Sequence, residues 1–376
     1  MVITVLGWYG TETIGDRAIL AGILYICSQV SDEKINLKLG SLYNPLCERT
    51  CIEDEHLWIR ITENKYESCK VFNSLNTNEL KTQIEGSDIL MVGGGPLMDI
   101  ESMYMLKYAF RYAKKKRIRT VLMGCGWGPF NIRKYEKVGV DLVHLSDLTI
   151  FRDKTSLNEL YNHTAGLKNV FSLIDPAFIT AYWFRKRHQL MPTNDFCCIN
   201  LREMFVTEVR QKGRFCIDDC EKLILQVMNA IPHIPIKLIP MHTFCIGGDD
   251  RIILNKIANR INSDRIIVQN KPLSLEDTME LFYNSKICIG MRFHSIVLQM
   301  VLNGYNYIMD YTEPDKGKII NILHQLKLVD SFKDRYVHYD NIKSLKIDKD
   351  IPQVQISDET LESYLRKYID IFKTII

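Results

Sequence analysis

The chain has 376 residues, 46% of them hydrophobic, which is ordinary for soluble material and exceeds the size at which one hydrophobic core keeps growing, so two domains are expected. Its 48 basic and 45 acidic side chains leave a formal charge of +3, too balanced for a general attraction to nucleic acid, and any anion must therefore be bound by local residues. The opening MVITVLGWYG lacks a basic n-region and turns after a short apolar run, so it reads as a first strand and not as a signal peptide, and no run approaches the roughly 20 apolar residues of a membrane span.

Short apolar runs alternate with amphipathic stretches, the pattern of βα units that build a parallel sheet. The first series of predicted strands is VITVL (2–6), INLKL (35–39), DILMV (88–92), TVLMG (120–124), LTIF (148–151) and VFSL (170–173). After the first strand, GWYGTETIGDRAIL (7–20) carries Gly7, Gly10, Gly15 and Asp16 into a helix. Glycines there let backbone approach a ligand, and the helix start offers unpaired N–H groups to an anion or a hydroxyl-rich sugar. The spacing is not GxGxxG and there is no P-loop lysine, so a nucleotide fingerprint is not read; a tight turn with Asp16 as a cap fits the residues equally well.

VGGGPLMD (92–99), with Gly94 and Gly95, and MGCGWGPF (123–130), with Trp127 as a stacking surface, are two further glycine-rich strand exits. Three such loops on one edge describe a backbone-lined floor that a bulky polar ligand can approach. The next exit, FRDKTS (151–156), reads as a structural Arg152–Asp153 pair, and Asp175 of DPAF (175–178) as the residue that fixes a turn. The helix around Lys107, Arg111 and the run 114–117 reads as a solvated basic face that leaves room for a peripheral membrane contact.

Periodicity fails over 181–195, where Pro192, Thr193, Asn194 and Asp195 cluster as breakers. The expected organisation is a Rossmann-like domain over 1–185, a second over 186–350 and a bridging helix over 351–376 that packs back toward the first domain, with the two Rossmann-like domains facing across a cleft. The second strand series is FCCINL (196–201), IKLIP (236–240), RIIV (265–268), KICI (286–289) and YIMDY (307–311). Its exits carry Arg202 in NLRE, His242 and the Gly247–Gly248 and Asp249–Asp250 pairs in PMHTFCIGGDDR, and Gly290, Arg292 and His294 in IGMRFHSIVLQMVLNG. An arginine supplies a planar fork for carboxylate or phosphate, and a histidine two residues away can exchange a proton near neutrality; Asp249 and Asp250 are expected to cap the following helix. The closing SDETLESYLRKYIDIFKTII (357–376) sets Leu361, Leu365, Tyr368, Ile369, Phe372 and Ile376 on one helical stripe after Ser357.

Eleven cysteines is an odd number, and many lie inside apolar runs, as Cys197, Cys198 and Cys288 do, which fits a reduced, cytoplasmic setting. Cys47/Cys51 and Cys216/Cys220 are four residues apart without a histidine at ligand spacing, so zinc is not expected and no metal is assigned.

With these residues in view the chain resembles the polysaccharide pyruvyl transferase family along most of its length. Of the family's opening loop it keeps Gly7, Gly10, Gly15, Asp16 and Ala18, with Thr13 where asparagine is usual and Arg17 where glutamate is usual. Asp88 with Gly93 to Gly95, Gly124 with Gly126, Gly128 and Pro129, and Arg152 with Asp153 and Ser156 follow its next three motifs. DPAF, Pro240 with His242, and Gly290, Arg292, His294 and Gly304 complete the order; the family's Y-x-x-K becomes Tyr311 followed by Lys316 and Lys318.

The resemblance implies a GT-B-like architecture, phosphoenolpyruvate as co-substrate with no other cofactor, and a sugar acceptor that is nucleotide-linked, lipid-linked or polymeric. It would form a cyclic pyruvate ketal, with Arg202, Arg292 and His294 catalytic and Gly290, His242 and Lys316 helping to hold the donor. Gly10, Asp16, Gly94, Gly95 and Trp127 would receive the acceptor, in the cytoplasm or at the inner face of the membrane. A nucleotide-sugar glycosyltransferase of the same architecture and a non-catalytic glycan-binding protein are the competing readings.

Overall fold

The computed structural model describes residues 1–188, 192–203, 217–244, 246 and 248–376. Contacts divide the chain into two compact units: Met1–Glu12, Asp16–Thr180 and Asp358–Ile376 form the first, and Thr13–Gly15 with Ala181–Ser357 form the second. The change of unit thus falls between Thr180 and Ala181, where the sequence reading places it after 185. Gly247 and Cys216, named above, lie outside the described residues.

In the first unit the strands are β1 (Val2–Leu6), β2 (Ile35–Ser41), β3 (Tyr66–Asn73), β4 (Ile89–Gly93), β5 (Pro96–Leu97), β6 (Arg119–Trp127), β7 (Leu148–Phe151) and β8 (Val170–Ser172). Among the described residues they form one parallel sheet in the order β3-β2-β1-β4-β6-β7-β8, with β5 paired to β6. Strands covered on both faces read as continuous apolar runs, and β4 is buried at every position. The sequence reading omits β3, whose residues Glu67, Ser68 and Lys70 are exposed as befits a sheet edge.

The helices are α1 (Ile14–Val30), α2 (Asn44–Ile61), α3 (Thr77–Glu85), α4 (Ser102–Lys115), α5 (Arg133–Leu145), α6 (Lys154–His163) and α7 (Pro176–Arg187). α1 is apolar almost all round, and Ala18, Ile19, Leu20, Ile23, Leu24 and Cys27 are fully buried. α4 instead buries one stripe, Met103, Leu106, Ala109, Phe110 and Ala113. The closing helix Asp358–Lys373 buries Leu361, Leu365, Tyr368 and Phe372 at four-, three- and four-residue steps, and the Tyr368 hydroxyl donates to the Ile174 carbonyl of this unit. Each such side chain contributes about 1.5–3 kcal/mol by leaving water.

Behind α1 lies a buried ion-pair group. Arg17 is forked onto Asp54, with Nε to Oδ2 and Nη2 to Oδ1 both 2.6 Å, and also reaches Glu53 at 3.1 Å. Burial alone would weaken the Arg17 guanidinium as a base, but Asp54 and Glu53 more than offset this and hold it charged. Glu12, in the left-handed region at φ 62°, is held by Arg49 and by the Thr50 hydroxyl at 3.0 Å.

The second unit carries β9 (Cys197–Ile199), β10 (Ile236–Leu238), β11 (Ile266–Val268), β12 (Cys288–Gly290), β13 (Asn306–Asp310) and β14 (Tyr336–His338). The described residues give a parallel sheet in the order β11-β10-β9-β12-β13-β14, which counted from β9 is the 3-2-1-4-5-6 order of a doubly wound nucleotide-binding fold. Its core joins Leu223, Ile224 and Val227 of the helix Ile217–Ala230 to Ile253, Leu254 and Ile257 of the helix Asp250–Ile261. In the helix Phe293–Leu302 nine of the ten residues are buried, and the tenth is His294. β14, a three-residue edge strand, is also absent from the sequence reading.

Asp54 is fully buried, so Asp54→Ala leaves Arg17 charged without its main partner. The expected loss is about 3–5 kcal/mol of unfolding free energy. Urea denaturation of the variant beside the parent measures it, and a loss under about 1 kcal/mol would show that Glu53 alone satisfies Arg17.

Candidate functional site

In an open doubly wound sheet, ligands bind outside the carboxyl ends of the strands where the strand order reverses. In the second unit that point lies between β9 and β12, flanked by β10 and β13. Four exits meet the description: Asn200–Arg202 after β9, Pro240–His242 after β10, Met291–His294 after β12, and Tyr311 after β13.

Two buried polar side chains fix these exits. Asn200 donates through Nδ2 to the Ile239 carbonyl at 2.9 Å and accepts the Arg292 amide on Oδ1 at 3.0 Å, which ties three exits together. Asp250, 2% exposed, accepts the Met241 and His242 amides on Oδ2 at 3.0 and 3.1 Å. The same carboxylate takes Arg292 Nε at 2.7 Å and Nη2 at 2.6 Å. The helix cap expected from both aspartates is therefore divided: Asp249 caps, accepting the Arg251 amide at 3.0 Å, while Asp250 orients the arginine. Sequence alone could not separate two adjacent aspartates, because their roles depend on which one faces β12.

Cationic side chains converge on the exits. Arg202 lies with its guanidinium carbon 4.8 Å from the Tyr311 ring centre, and Lys318 Nζ lies 5.5 Å from the ring centres of both Tyr311 and Phe293. Burial pushes the Tyr311 phenol up, but Lys318, Arg202, a hydrogen bond with Lys318 and Arg292 outweigh it and bring it below the usual tyrosine value. Lys316, expected at the donor, has a side chain 77% exposed and near Glu313, whereas Lys318, at the start of the next helix after Gly317, reaches the Tyr311 and Phe293 rings.

His294 sits in the first turn of its helix, beside Arg292 at the N-cap. The segment Thr13–Gly15 groups with this unit: Thr13 bridges His242 in antiparallel fashion and the Ile14 amide donates to the Met241 carbonyl at 3.0 Å. A Cβ added at Gly15 would fall on the His294 imidazole, so the glycine is there for space. Gly290 likewise backs onto Gln299 and Ile296. His242 is buried, with its amide on Asp250.

The first unit's candidates stand at its own strand exits. Gly10, Gly94 and Gly95 have φ of 81°, 74° and 71°, conformations that favour glycine, and added Cβ atoms would meet Tyr43, Ile19 and Trp8 respectively. Asp16 lies in the first turn of α1. Trp127, expected to offer a stacking face, is 7% exposed and packs edge-on against Phe130 and Phe151 and near His163, because β6 runs on past its glycines and turns the indole into the core. Trp8, partly exposed beside Gly95, is the aromatic at these exits that the reading passed over. Arg152 faces Asp175 at 3.7 Å and Asp153 at 3.9 Å, and Asp153 caps the Ser156 amide at 2.7 Å.

No group of three or more His, Cys, Asp or Glu side chains among the described residues is arranged to hold a metal ion, and the nine described cysteines are free thiols.

The model of the family described as polysaccharide pyruvyl transferase matches residues 14–311. No curated protein matches the chain. Among solved structures, UDP-N-acetylglucosamine 2-epimerase from Rickettsia bellii superposes with a TM-score of 0.57 at 12% identity, covering 99% of this chain and 96% of that one. The Methanocaldococcus jannaschii UDP-GlcNAc 2-epimerase in complex with UDP-GlcNAc and UDP gives 0.54 at 12% identity, covering 98% and 99%. The E. coli trehalose-6-phosphate structure bound with UDP-2-fluoro glucose gives 0.51 at 11% identity, covering 100% and 96%. Likeness at this level concerns the fold, which is GT-B-like.

Gly15→Ala tests the packing beside His294. Alanine suits a helix start better than glycine, so the fold should persist with its melting temperature within a few degrees while the His294 ring is displaced. The ring proton resonances of His294 in NMR should shift; unchanged resonances would show that Gly15 does not set the imidazole position.

Proposed function

Because the chain belongs to the polysaccharide pyruvyl transferase family, and is thus a transferase, we propose that it moves an enolpyruvyl group from phosphoenolpyruvate to a sugar of a cell-surface glycan or its precursor, forming a cyclic pyruvate ketal with release of phosphate. The observation that carries this reading is the convergence of Arg202, Arg292 and Lys318 at the exits of three adjacent strands, β9, β12 and β13, with a titratable histidine on the same turn as Arg292.

Phosphoenolpyruvate carries a carboxylate and a phosphate, and the arginine forks and the lysine match those two groups. The start of the helix Phe293–Leu302 adds the positive end of its dipole. Addition of a sugar hydroxyl to C2 requires protonation of C3, and the imidazole of His294 is the proton donor of this scheme. Asp250 holds Arg292 in the orientation that faces the donor, and His242 borders the site through its amide on the same carboxylate. The scheme needs no cofactor beyond the co-substrate.

The acceptor is assigned to the first unit's glycine exits, Gly10, Gly94 and Gly95 with Asp16, and Trp8 takes the aromatic role first given to Trp127. No described helix is long and apolar enough to cross a membrane. A lipid-linked acceptor would be reached through a peripheral contact, for which the basic end of α4 is the natural candidate.

His294→Ala should leave phosphoenolpyruvate binding nearly intact while turnover falls by about a hundredfold to ten-thousandfold. Arg292→Ala should weaken binding and turnover together. Calorimetry beside mass spectrometry of the ketal measures both. Retention of more than about a tenth of turnover in His294→Ala would move the acid to another residue, with His242 the first to test. Protection from proteolysis by a nucleotide sugar and not by phosphoenolpyruvate would favour glycosyl transfer, and binding of glycan without phosphate release would favour a non-catalytic protein.

A further inference from the structure

Tyr311 leaves β13 into a ring of positive charge supplied by three elements. Arg202 comes from the β9 exit, Arg292 from the β12 exit, and Lys318 from the helix after β13, with its Nζ 5.5 Å from the Tyr311 ring centre. The carboxylates of Asp310, next to Tyr311 in sequence, and of Asp250, on Arg292, have partners of their own. Asp310 accepts the Thr312 amide and hydroxyl on Oδ1, at 2.7 and 2.6 Å, and the Tyr336 hydroxyl on Oδ2 at 2.7 Å. Asp250 is taken by Arg292 and two amides. Lys318, Arg202 and Arg292 together outweigh burial, which favours the neutral phenol.

Ketal formation moves more protons than one histidine handles in a single step. C3 gains a proton, two sugar hydroxyls each lose one, and phosphate leaves better protonated than not. His294 accounts for the first; nothing assigned so far takes the proton of the attacking hydroxyl.

We propose that Tyr311 is a second proton-transfer residue of this site, with Lys318 holding it in place: its phenolate accepts the proton of the sugar hydroxyl that adds to C2 of phosphoenolpyruvate, and its phenol then returns that proton to the departing phosphate. This rests on the pyruvyl-transfer reading. In the first step the acceptor O–H bond breaks toward the Tyr311 oxygen as O–C2 forms, and the C2–C3 π pair takes the His294 proton to make the methyl group. In the second step the C2–O bond to phosphate breaks with its electron pair on oxygen, the Tyr311 proton goes to the phosphate, and an oxocarbenium centre remains. The second sugar oxygen then bonds to C2, its proton passes to the now neutral His294, and both residues are back in their starting states.

The full chain and its Tyr311→Phe variant decide the matter by three measurements. Near-ultraviolet titration should show one tyrosinate in the parent that ionises below free tyrosine, is missing in the variant, and moves upward when phosphoenolpyruvate fills the site. Calorimetry should show donor affinity within about threefold of the parent, while ketal turnover falls by about a hundredfold or more. Identical titrations in parent and variant overturn the proposal, as does turnover above about a tenth of the parent's, the loss of turnover at kept donor affinity being what a merely structural Tyr311 would not produce. If phosphoenolpyruvate neither binds the parent nor moves the tyrosinate, the pyruvyl-transfer reading itself fails. If it binds and ketal forms equally in both proteins, the Tyr311 assignment alone fails.

Discussion

The carboxylate of Asp250 is the constraint on which the second unit's site depends. A charge this deeply buried is costly unless it is paired and hydrogen-bonded, and Asp250 is both, accepting two backbone amides and a forked arginine. The arrangement serves two strand exits at once. It pins the backbone after β10 at Met241 and His242, and it fixes the guanidinium after β12, so neither loop can shift without exposing an unpaired charge. Asn200 makes the same kind of tie with neutral groups, and the site is thus preorganised by partners that do not themselves carry the chemistry.

The first unit is braced differently. Its glycine exits gain shape from close packing behind them, with Ile19 under Gly94 and Trp8 beside Gly95. Its buried charge lies around Arg17, where the family pattern has an acid; here the acids stand on α2 as Glu53 and Asp54.

The parallel sheets were legible in the sequence because strands covered on both faces need uninterrupted apolar residues, as DILMV and LTIF show. β3 and β14 were not, since an edge strand can be polar or very short without cost. The residues at strand exits, Arg202, Arg292 and His294, could be found because a polar residue directly after a buried run has few places to point. What sequence spacing does not carry is rotation about the chain. That decided Lys318 over Lys316, Asp250 over Asp249, and the inward turn of Trp127 with Trp8 left partly exposed. Tyr311 stood in a noted motif, yet its electrostatic setting depends in part on Arg202, more than a hundred positions earlier in the sequence.

The helix Phe293–Leu302 is buried at every position but His294. Backbone amides in such an element exchange with solvent only through large-scale opening, whereas lids and loops open locally at far smaller free energy. The imidazole is therefore mounted on one of the stiffest parts of the unit. Any repositioning of the ring has to come from rotation about its own side-chain bonds, on a timescale far shorter than that of segment motion.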